Sequence, residues 1–210
     1  MDPKKGWLEY WVDPKTWTFV GNFEGMYRDF EDPWLCQKRN KSVSRRVALT
    51  LLDGRRYDRA LDIGCGLGGF TELLRRSLGI GLARGVDVSP TAVAKAQASY
   101  PSCEFVVADV AKEPIPGGEQ PYDLILLQEV IWYILPQLRD IFDRIAASLA
   151  ADGALLIEQS FPNAQNFGRE YLTSPDMLLS RYLIPAGFKV DIQLREILET
   201  ESVLLLKLKR

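Results

Sequence analysis

The chain of 210 residues carries 26 Lys and Arg against 28 Asp and Glu, a formal net charge of -2, so no broad basic field exists to hold a polyanion such as DNA or RNA. With 47% hydrophobic and 26% charged residues it can bury a full core as one globular domain plus an appendage, and no uninterrupted apolar run approaches the roughly 18 residues of a membrane span. Neither nucleic acid nor membrane is an expected partner, and the opening MDPKKGWLEYWVDPK lacks the apolar region of a signal peptide, which reads as cytoplasmic.

Residues 1–45 hold Trp7, Tyr10, Trp11, Trp17, Phe19, Phe23, Tyr27, Phe30 and Trp34, four of the five tryptophans in the chain, with Gly and Pro but no regular period. Such a segment suits a lid that closes over a ligand and shapes an acceptor site, or equally a flap that buries its rings on a core. A short helix, VALTLL, follows. From about residue 59 apolar runs alternate with amphipathic stretches, the βαβα rhythm of a parallel sheet covered by helices.

RALDI (59–63) reads as the first strand and FTELLRRSL (70–78) as its helix, with Leu73, Leu74 and Leu78 on one face. ARGVDV (83–88) is the second strand, and Ser89-Pro90 fits an N-cap with Pro at the first position of the helix TAVAKAQASY. CEFVVAD (103–109) is the third strand, and YDLILLQ (122–128) has the continuous apolar character of a central strand buried on both faces. PQLRDIFDRIAASL (136–149) places Leu138, Ile141, Phe142, Ile145 and Leu149 at helical spacing, ADG ends that helix, and GALLIEQS (153–160) is the fifth strand. SPDMLLSRYLIPAG forms a further helix. The runs 187–197 and 201–210 lie too close for a crossover helix, so they are expected to pair antiparallel as a hairpin.

Cys36, Cys65 and Cys103 are odd in number, widely spaced and without a C-x-x-C pair, which argues against a disulfide framework and a zinc site. Histidine is absent from the whole chain, so any proton transfer falls to a carboxylate, a tyrosine, a lysine or water.

LDIGCGLGGF (61–70) fits two ligands. Gly64, Gly66 and Gly69 match the G-x-G-x-x-G fingerprint of dinucleotide-binding proteins, and Asp62, Gly64, Gly66 and Gly68 match the D-x-G-x-G-x-G loop of enzymes that use S-adenosylmethionine (SAM). Asp87, ending the second strand, would accept hydrogen bonds from ribose hydroxyls in either case; its structural alternative, a helix cap, is already filled by Ser89. Asp109 discriminates better, because an acidic residue after the third strand can reach the edge of an adenine.

In order along the chain, LDIGCGLGGF, GVDVSPTAVAKAQ, FVVADV and YDLILLQEVIWYI resemble the four successive motifs of the class I SAM-dependent methyltransferases, with GALLIEQS where that family has its fifth strand. The resemblance covers roughly residues 45–210 and implies a Rossmann-like, doubly wound α/β fold. Its mostly parallel seven-stranded sheet would end in an antiparallel pair, with an N-terminal lid or cap over 1–45 and a SAM-binding domain over 46–210. Carried over residue by residue, it implies that Asp62, Gly64, Cys65, Gly66 and Gly68 line the methionine and ribose part of SAM. Asp87 would bind the ribose diol, Val88 would pack on adenine, Asp109 and Val110 would border that ring, and Gln128, Glu129 and Val130 would sit beside the sulfonium. The Cys65 thiol reads as chemically idle.

Methyl transfer is an in-line displacement that rests largely on positioning, and a base is needed only where the nucleophile must lose a proton, as a hydroxyl must. Glu129 and Tyr133 are the candidate catalytic residues, Glu129 as base or amine anchor or, alternatively, as a contact to the cofactor or a helix cap. Trp132 and Tyr133 also fit simple packing between sheet and helix. QEVI after the fourth strand departs from the [D/N]-P-P-[Y/F/W] of amino-methylating nucleic-acid enzymes. Glu158-Gln159 departs from the acidic set of metal-dependent catechol-type enzymes, so no metal is expected. EDPWLCQKRNKSVSRR with EVIWYI is locally similar to the nodulation-type N-methyltransferases, which act on an amino sugar of chitooligosaccharides. The expectation is methyl transfer from SAM to N or O of a small acceptor, a saccharide or secondary metabolite. The rivals are an NAD-dependent oxidoreductase and a non-catalytic module that keeps the fold.

Overall fold

The computed structural model describes residues 6–35, 43–197 and 201–209. Cys36 and the QKRNKS stretch (37–42) lie outside the described residues. Helices α1 (Phe23–Asp29) and α2 (Val43–Leu52) precede the alternating part of the chain. There follow β1 (Arg59–Ile63), α3 (Gly69–Leu78), β2 (Leu82–Asp87), α4 (Pro90–Ser99), β3 (Glu104–Val107) and β4 (Tyr122–Gln128). Then come α5 (Leu138–Ser148), β5 (Leu149–Pro162), α6 (Pro175–Met177), β6 (Lys189–Ile197) and β7 (Glu201–Lys209).

The strands form one seven-stranded sheet in the order β3-β2-β1-β4-β5-β7-β6. β1 to β5 pair in parallel, and β7 runs antiparallel to both β5 and β6. The expected hairpin is present, but its second strand slots in beside β5 and leaves β6 at the sheet edge.

Strand alternation assigns each side chain to a layer. Leu61 and Ile63 of β1, Ile125 and Leu127 of β4, and Leu155 and Ile157 of β5 pack with Leu138, Ile141, Phe142 and Ile145 of α5. The alternate residues Ala60, Leu124, Leu126 and Leu156 meet Ala48 and Leu52 of α2, Phe70 and Leu74 of α3, and Ala96 of α4. By the same parity Asp62, Gln128 and Glu158 belong to the α2–α3 face, at the carboxyl end of the sheet, where the covering helices begin.

Three of the differences from the expected extents concern β3, β5 and the helix from Ser174. β3 stops at Val107, so Asp109 sits in the loop beyond it, where Ala108 N–H still donates to Asp87 O at 3.1 Å. β5 starts at Leu149 with a register shift against β4 between Tyr122 and Leu124, so the ADG residues join the strand after the helix ends. The expected helix from Ser174 has Ser174 as its N-cap, then widens into π-helical turns over Leu178–Leu183, with Ile184 N–H donating to Leu179 O.

Residues 6–35 form a compact flap. A short 3-10 turn, Trp7–Tyr10, and a single bridge between Val12 and Phe19 lead into α1, which packs on α4. Glu24 accepts from the Ser89 hydroxyl (2.6 Å), the Thr91 hydroxyl (2.7 Å) and Thr91 N–H (3.0 Å) at the start of α4. These three donors hold its carboxyl below the usual glutamate value, the Ser89 hydroxyl most strongly. Lys95 donates to the carbonyls of Tyr27 and Phe30, tying down the other end of α1. Ser89 keeps its expected cap role as well, accepting from Ala92 N–H.

Candidate functional site

The helix after β1 covers one face of the sheet and the helix after β4 the other, so the layers part between these two strands at their carboxyl ends. A cavity of about 400 Å³ opens there. Of the residues singled out from sequence, Asp62, Gly64, Cys65, Gly66, Asp87, Val88, Asp109, Val110, Gln128, Glu129 and Tyr133 all line it. Gly68 is not among the lining residues: it adopts φ 74° as the N-cap of α3, where a Cβ would meet the Phe105 ring.

The glycine loop is moulded by close approach. Gly64 and Cys65 donate to Val86 O at 2.8 and 3.0 Å, which folds the loop back over β2. Gly64 (φ 73°) faces Val130, into which a Cβ would intrude, and a Cβ on Gly66 (φ 54°) would stand 2.7 Å from the Tyr27 hydroxyl of α1. Asp87 locks the arrangement, its two carboxylate oxygens accepting from Gly66 N–H and Ser89 N–H, each at 2.9 Å. Burial raises its carboxyl above the ordinary range, and the N–H groups of Ser89, Gly66 and Val88 pull it part of the way back. Val88, beside it, is 43% exposed, an apolar side chain on the cavity wall. Asp109 accepts from Ala111 N–H at 3.0 Å and pairs with Lys112 at 2.7 Å. Val110 is buried, its carbonyl accepting from Arg144.

Under α2 the cavity floor is a buried polar chain. Arg45, only 4% exposed, lies over the Phe70 ring at 4.8 Å and donates to Gln128 Oε1 at 2.7 Å. Gln128 in turn donates to Glu158 at 2.6 Å. Asp62 accepts from the Thr71 hydroxyl at 2.6 Å, and burial lifts its carboxyl to about 6 against the pull of Thr71 and the Arg45 charge. Arg45 was not legible as a site residue: nothing in the Arg45-Arg46 pair before an expected helix marks one arginine over the other, and only the docking of α2 brings Arg45 to β4.

Glu129 is held in an unusual backbone state for a residue with a side chain, φ 55°. Its carboxylate accepts from the Ser160 hydroxyl (2.6 Å), Ser160 N–H (3.1 Å) and Gln159 Nε2 (3.0 Å), while Gln159 Oε1 accepts from Ile131 N–H (3.0 Å). Gln159 and Ser160 thus join the ends of β4 and β5, a role that sequence reading missed. Trp132 turns away, donating to Ser160 O and packing on Phe161, whereas Tyr133 faces the cavity.

Tyr133 also meets the N-terminal flap. Its ring centroid is 5.0 Å from Phe23, 5.7 Å from Trp34 and 5.6 Å from Trp11. Phe19 continues the wall 6.2 Å from Phe23, and Phe167 stands behind both Phe19 and Trp11. Phe19, Phe23, Tyr27 and Trp34 all line the cavity, so the aromatic N-terminal segment forms part of the site. Among the described residues, no cluster of His, Cys, Asp and Glu is arranged to hold a metal ion, and no helix is long and apolar enough to cross a membrane.

Residues 60–153 match the family model described as a methyltransferase domain. The chain is similar to a trans-aconitate 2-methyltransferase of Rhizobium rhizogenes, 35% identical over 134 residues, which is 64% of this chain and 48% of that protein. The chain therefore spans about half the length of the curated relative it matches. Among solved structures it resembles the N-methyltransferase NodS from Bradyrhizobium japonicum in complex with S-adenosyl-L-homocysteine (SAH), at TM-score 0.68 and 20% identity over 86% of this chain and 93% of that one. A TehB-like SAM-dependent methyltransferase from Corynebacterium glutamicum matches at TM-score 0.67 and 18% identity, over 89% and 99% of the two chains. At these identities the likeness establishes a shared fold, the Rossmann-like fold of class I methyltransferases.

Proposed function

We propose that this chain, whose residues 60–153 carry a methyltransferase domain, transfers the methyl group of SAM to a nitrogen or oxygen of a small acceptor. The observation that carries the reading is the cavity at the carboxyl ends of β1, β2 and β4, which gathers the glycine loop, Asp62, Asp87, Asp109 and Gln128 together with an aromatic wall. The residues fit the cofactor: the loop turns at Gly64 and Gly66 with positive φ, where side chains would run into Val130 and the Tyr27 hydroxyl, so its backbone borders the cavity directly, and Val88 offers an apolar surface that an adenine would cover. When bound, SAM would supply a methyl group on a positively charged sulfur.

In this reading Asp87 accepts from the ribose hydroxyls while holding the loop, Val88, Asp109 and Val110 frame the adenine, and Asp62 with the loop receives the methionine end. Gln128 and Glu129 stand between donor and acceptor, and Tyr133 is a wall of the acceptor side. Glu129 shapes the junction of β4 and β5 through Ser160 and Gln159, and these bonds hold its carboxylate where it borders the cavity. Residues 6–35 act as the cap that completes the acceptor side.

Calorimetric titration tests the reading: SAH should bind and NAD should not, and binding of NAD without SAH would overturn it. Turnover is tested by transfer of label from SAM across an acceptor panel that includes trans-aconitate, an amino sugar and aromatic alcohols and amines. SAH binding without turnover of any acceptor would favour a module that keeps the fold without the reaction.

A further inference from the structure

Resting on that reading, we propose that the acceptor is an amine, and that the aromatic wall of the cavity is a site for the alkylammonium formed when it is methylated. Three observations converge. Trp34, Tyr133, Phe23 and Phe19 form an unbroken series of rings along one side of the cavity, with successive centroids 5.7, 5.0 and 6.2 Å apart and mutual inclinations of 36°, 66° and 53°. Trp11 and Phe167 brace these rings from behind, Trp11 against Tyr133 and Phe167 against Phe19. Rings inclined to one another around a space attract a cation through their electron-rich faces, and they do so best where water is excluded.

The second observation is charge. Among the described residues the cavity lining carries the carboxyl groups of Asp62, Asp87, Asp109 and Glu129 against the cations Arg45 and Lys112. Arg45 is engaged with Gln128, and Lys112 is paired with Asp109. With Asp62, Asp87 and Asp109 given to the cofactor, Glu129 is the lining carboxylate left to the acceptor among the described residues, and a carboxylate there favours a cation and opposes a polycarboxylate acceptor.

The third is the state of the carboxylates. Asp62 accepts from Thr71, Asp87 from Gly66 and Ser89, Asp109 from Ala111 and Lys112, and Glu129 from Ser160 and Gln159. With no histidine in the chain, a hydroxyl acceptor would have to lose its proton to one of these hydrogen-bonded carboxylates, to a tyrosine or lysine, or to water, whereas an amine needs only to shed its ammonium proton to water before it attacks as the free base. The lone pair of the amine nitrogen forms the new N–C bond as the C–S bond breaks and its electrons leave on sulfur. The positive charge passes from sulfur to nitrogen, and any remaining N–H proton leaves to water.

An isosteric pair tests this without knowledge of the natural acceptor. Protein saturated with SAH is titrated with choline and with 3,3-dimethylbutan-1-ol, which replaces the quaternary nitrogen by carbon, and binding is followed by tryptophan fluorescence and calorimetry. Choline should bind about tenfold more tightly, and Tyr133→Leu and Trp34→Leu should each erode that preference while leaving SAH affinity in place. Equal or tighter binding of the uncharged alcohol overturns the proposal, as does preferential methylation of 2-phenylethanol or trans-aconitate over 2-phenylethylamine. If neither phenyl compound is methylated, the isosteric pair decides. Failure of SAH to bind would instead reject the cofactor reading itself, so the two failures are distinguishable.

Discussion

Glu24→Ala should loosen the N-terminal flap from the sheet without unfolding the rest. Glu24 is the acceptor for three donors on α4, at 2.6, 2.7 and 3.0 Å, and the hydroxyls of Ser89 and Thr91 regain water once the carboxylate is gone. Hydrogen bonds to a charged group contribute roughly 1.5–3 kcal/mol each, but three that share one carboxylate are not additive and their donors are rehydrated, so the net loss is taken as about 2 kcal/mol. That corresponds to an increase of about 30-fold in the opened population of α1. Native-state hydrogen exchange reads it directly: α1 amides such as Met26 and Phe30 should lose that much protection, while amides in β1 and β4 keep theirs. Because the Glu24 carboxyl is held below its ordinary value, its contribution is complete above the unfolded value of 4.5 and is lost as pH falls through the folded one. Wild-type α1 should therefore open selectively on acidification, and the variant should not. Unchanged α1 protection in Glu24→Ala at neutral pH would refute the latch.

Asp87→Ala should weaken SAH binding by about 1–3 kcal/mol in calorimetry, through loss of the ribose acceptor and of the brace on Gly66; undiminished affinity would remove Asp87 from the site. Asp62 is charged at a cost, since burial lifts its carboxyl from the ordinary 3.8 to about 6. The unfolded chain loses this proton first, so stability should fall between about pH 4 and pH 6 by at most about 3 kcal/mol and stay level above that. Asp62→Asn should flatten that stretch of the thermal-unfolding profile and raise the Tm at pH 7 while lowering SAH affinity; an unaltered profile would contradict the assignment. Glu129→Gln should reduce turnover more than SAH affinity, because it turns an amide N–H toward the donors of Ser160, and Ser160→Ala should show the same pattern more weakly. A loss of SAH affinity as large as the loss in kcat would place Glu129 in cofactor binding alone.

The parallel part of the fold was readable because local chemistry repeats there. RALDI and YDLILLQ are strands with the expected limits, Ser89-Pro90 opens α4, and the glycines of the loop carry the positive φ angles that the strand-to-helix turn demands. The boundaries that moved are set by neighbours beyond the local sequence. β5 extends to Pro162 because β7 pairs along it as far as Glu201, and α6 widens into π-helical turns where Leu178 and Leu183 pack into the α5 face.

By itself, then, the order of residues determined a Rossmann-like sheet closed by an antiparallel pair, and put Asp62, Asp87, Asp109 and the QEV turn at consecutive carboxyl ends of its strands. The parallel strands and the closing pair follow from periodicity and turn chemistry, and the Rossmann-like arrangement and the site positions follow from the resemblance of the ordered motifs to a known family, all of which a linear chain displays. Tertiary structure alone decided what those residues touch. It set Arg45 of α2 against Gln128, 83 positions away, turned the Glu129 carboxylate onto Ser160, and separated Tyr133, which faces the cavity, from Trp132, which does not. It also brought the aperiodic rings of residues 6–35 into one wall, because their order follows from how the flap docks on α4 and the glycine loop rather than from any spacing along the chain.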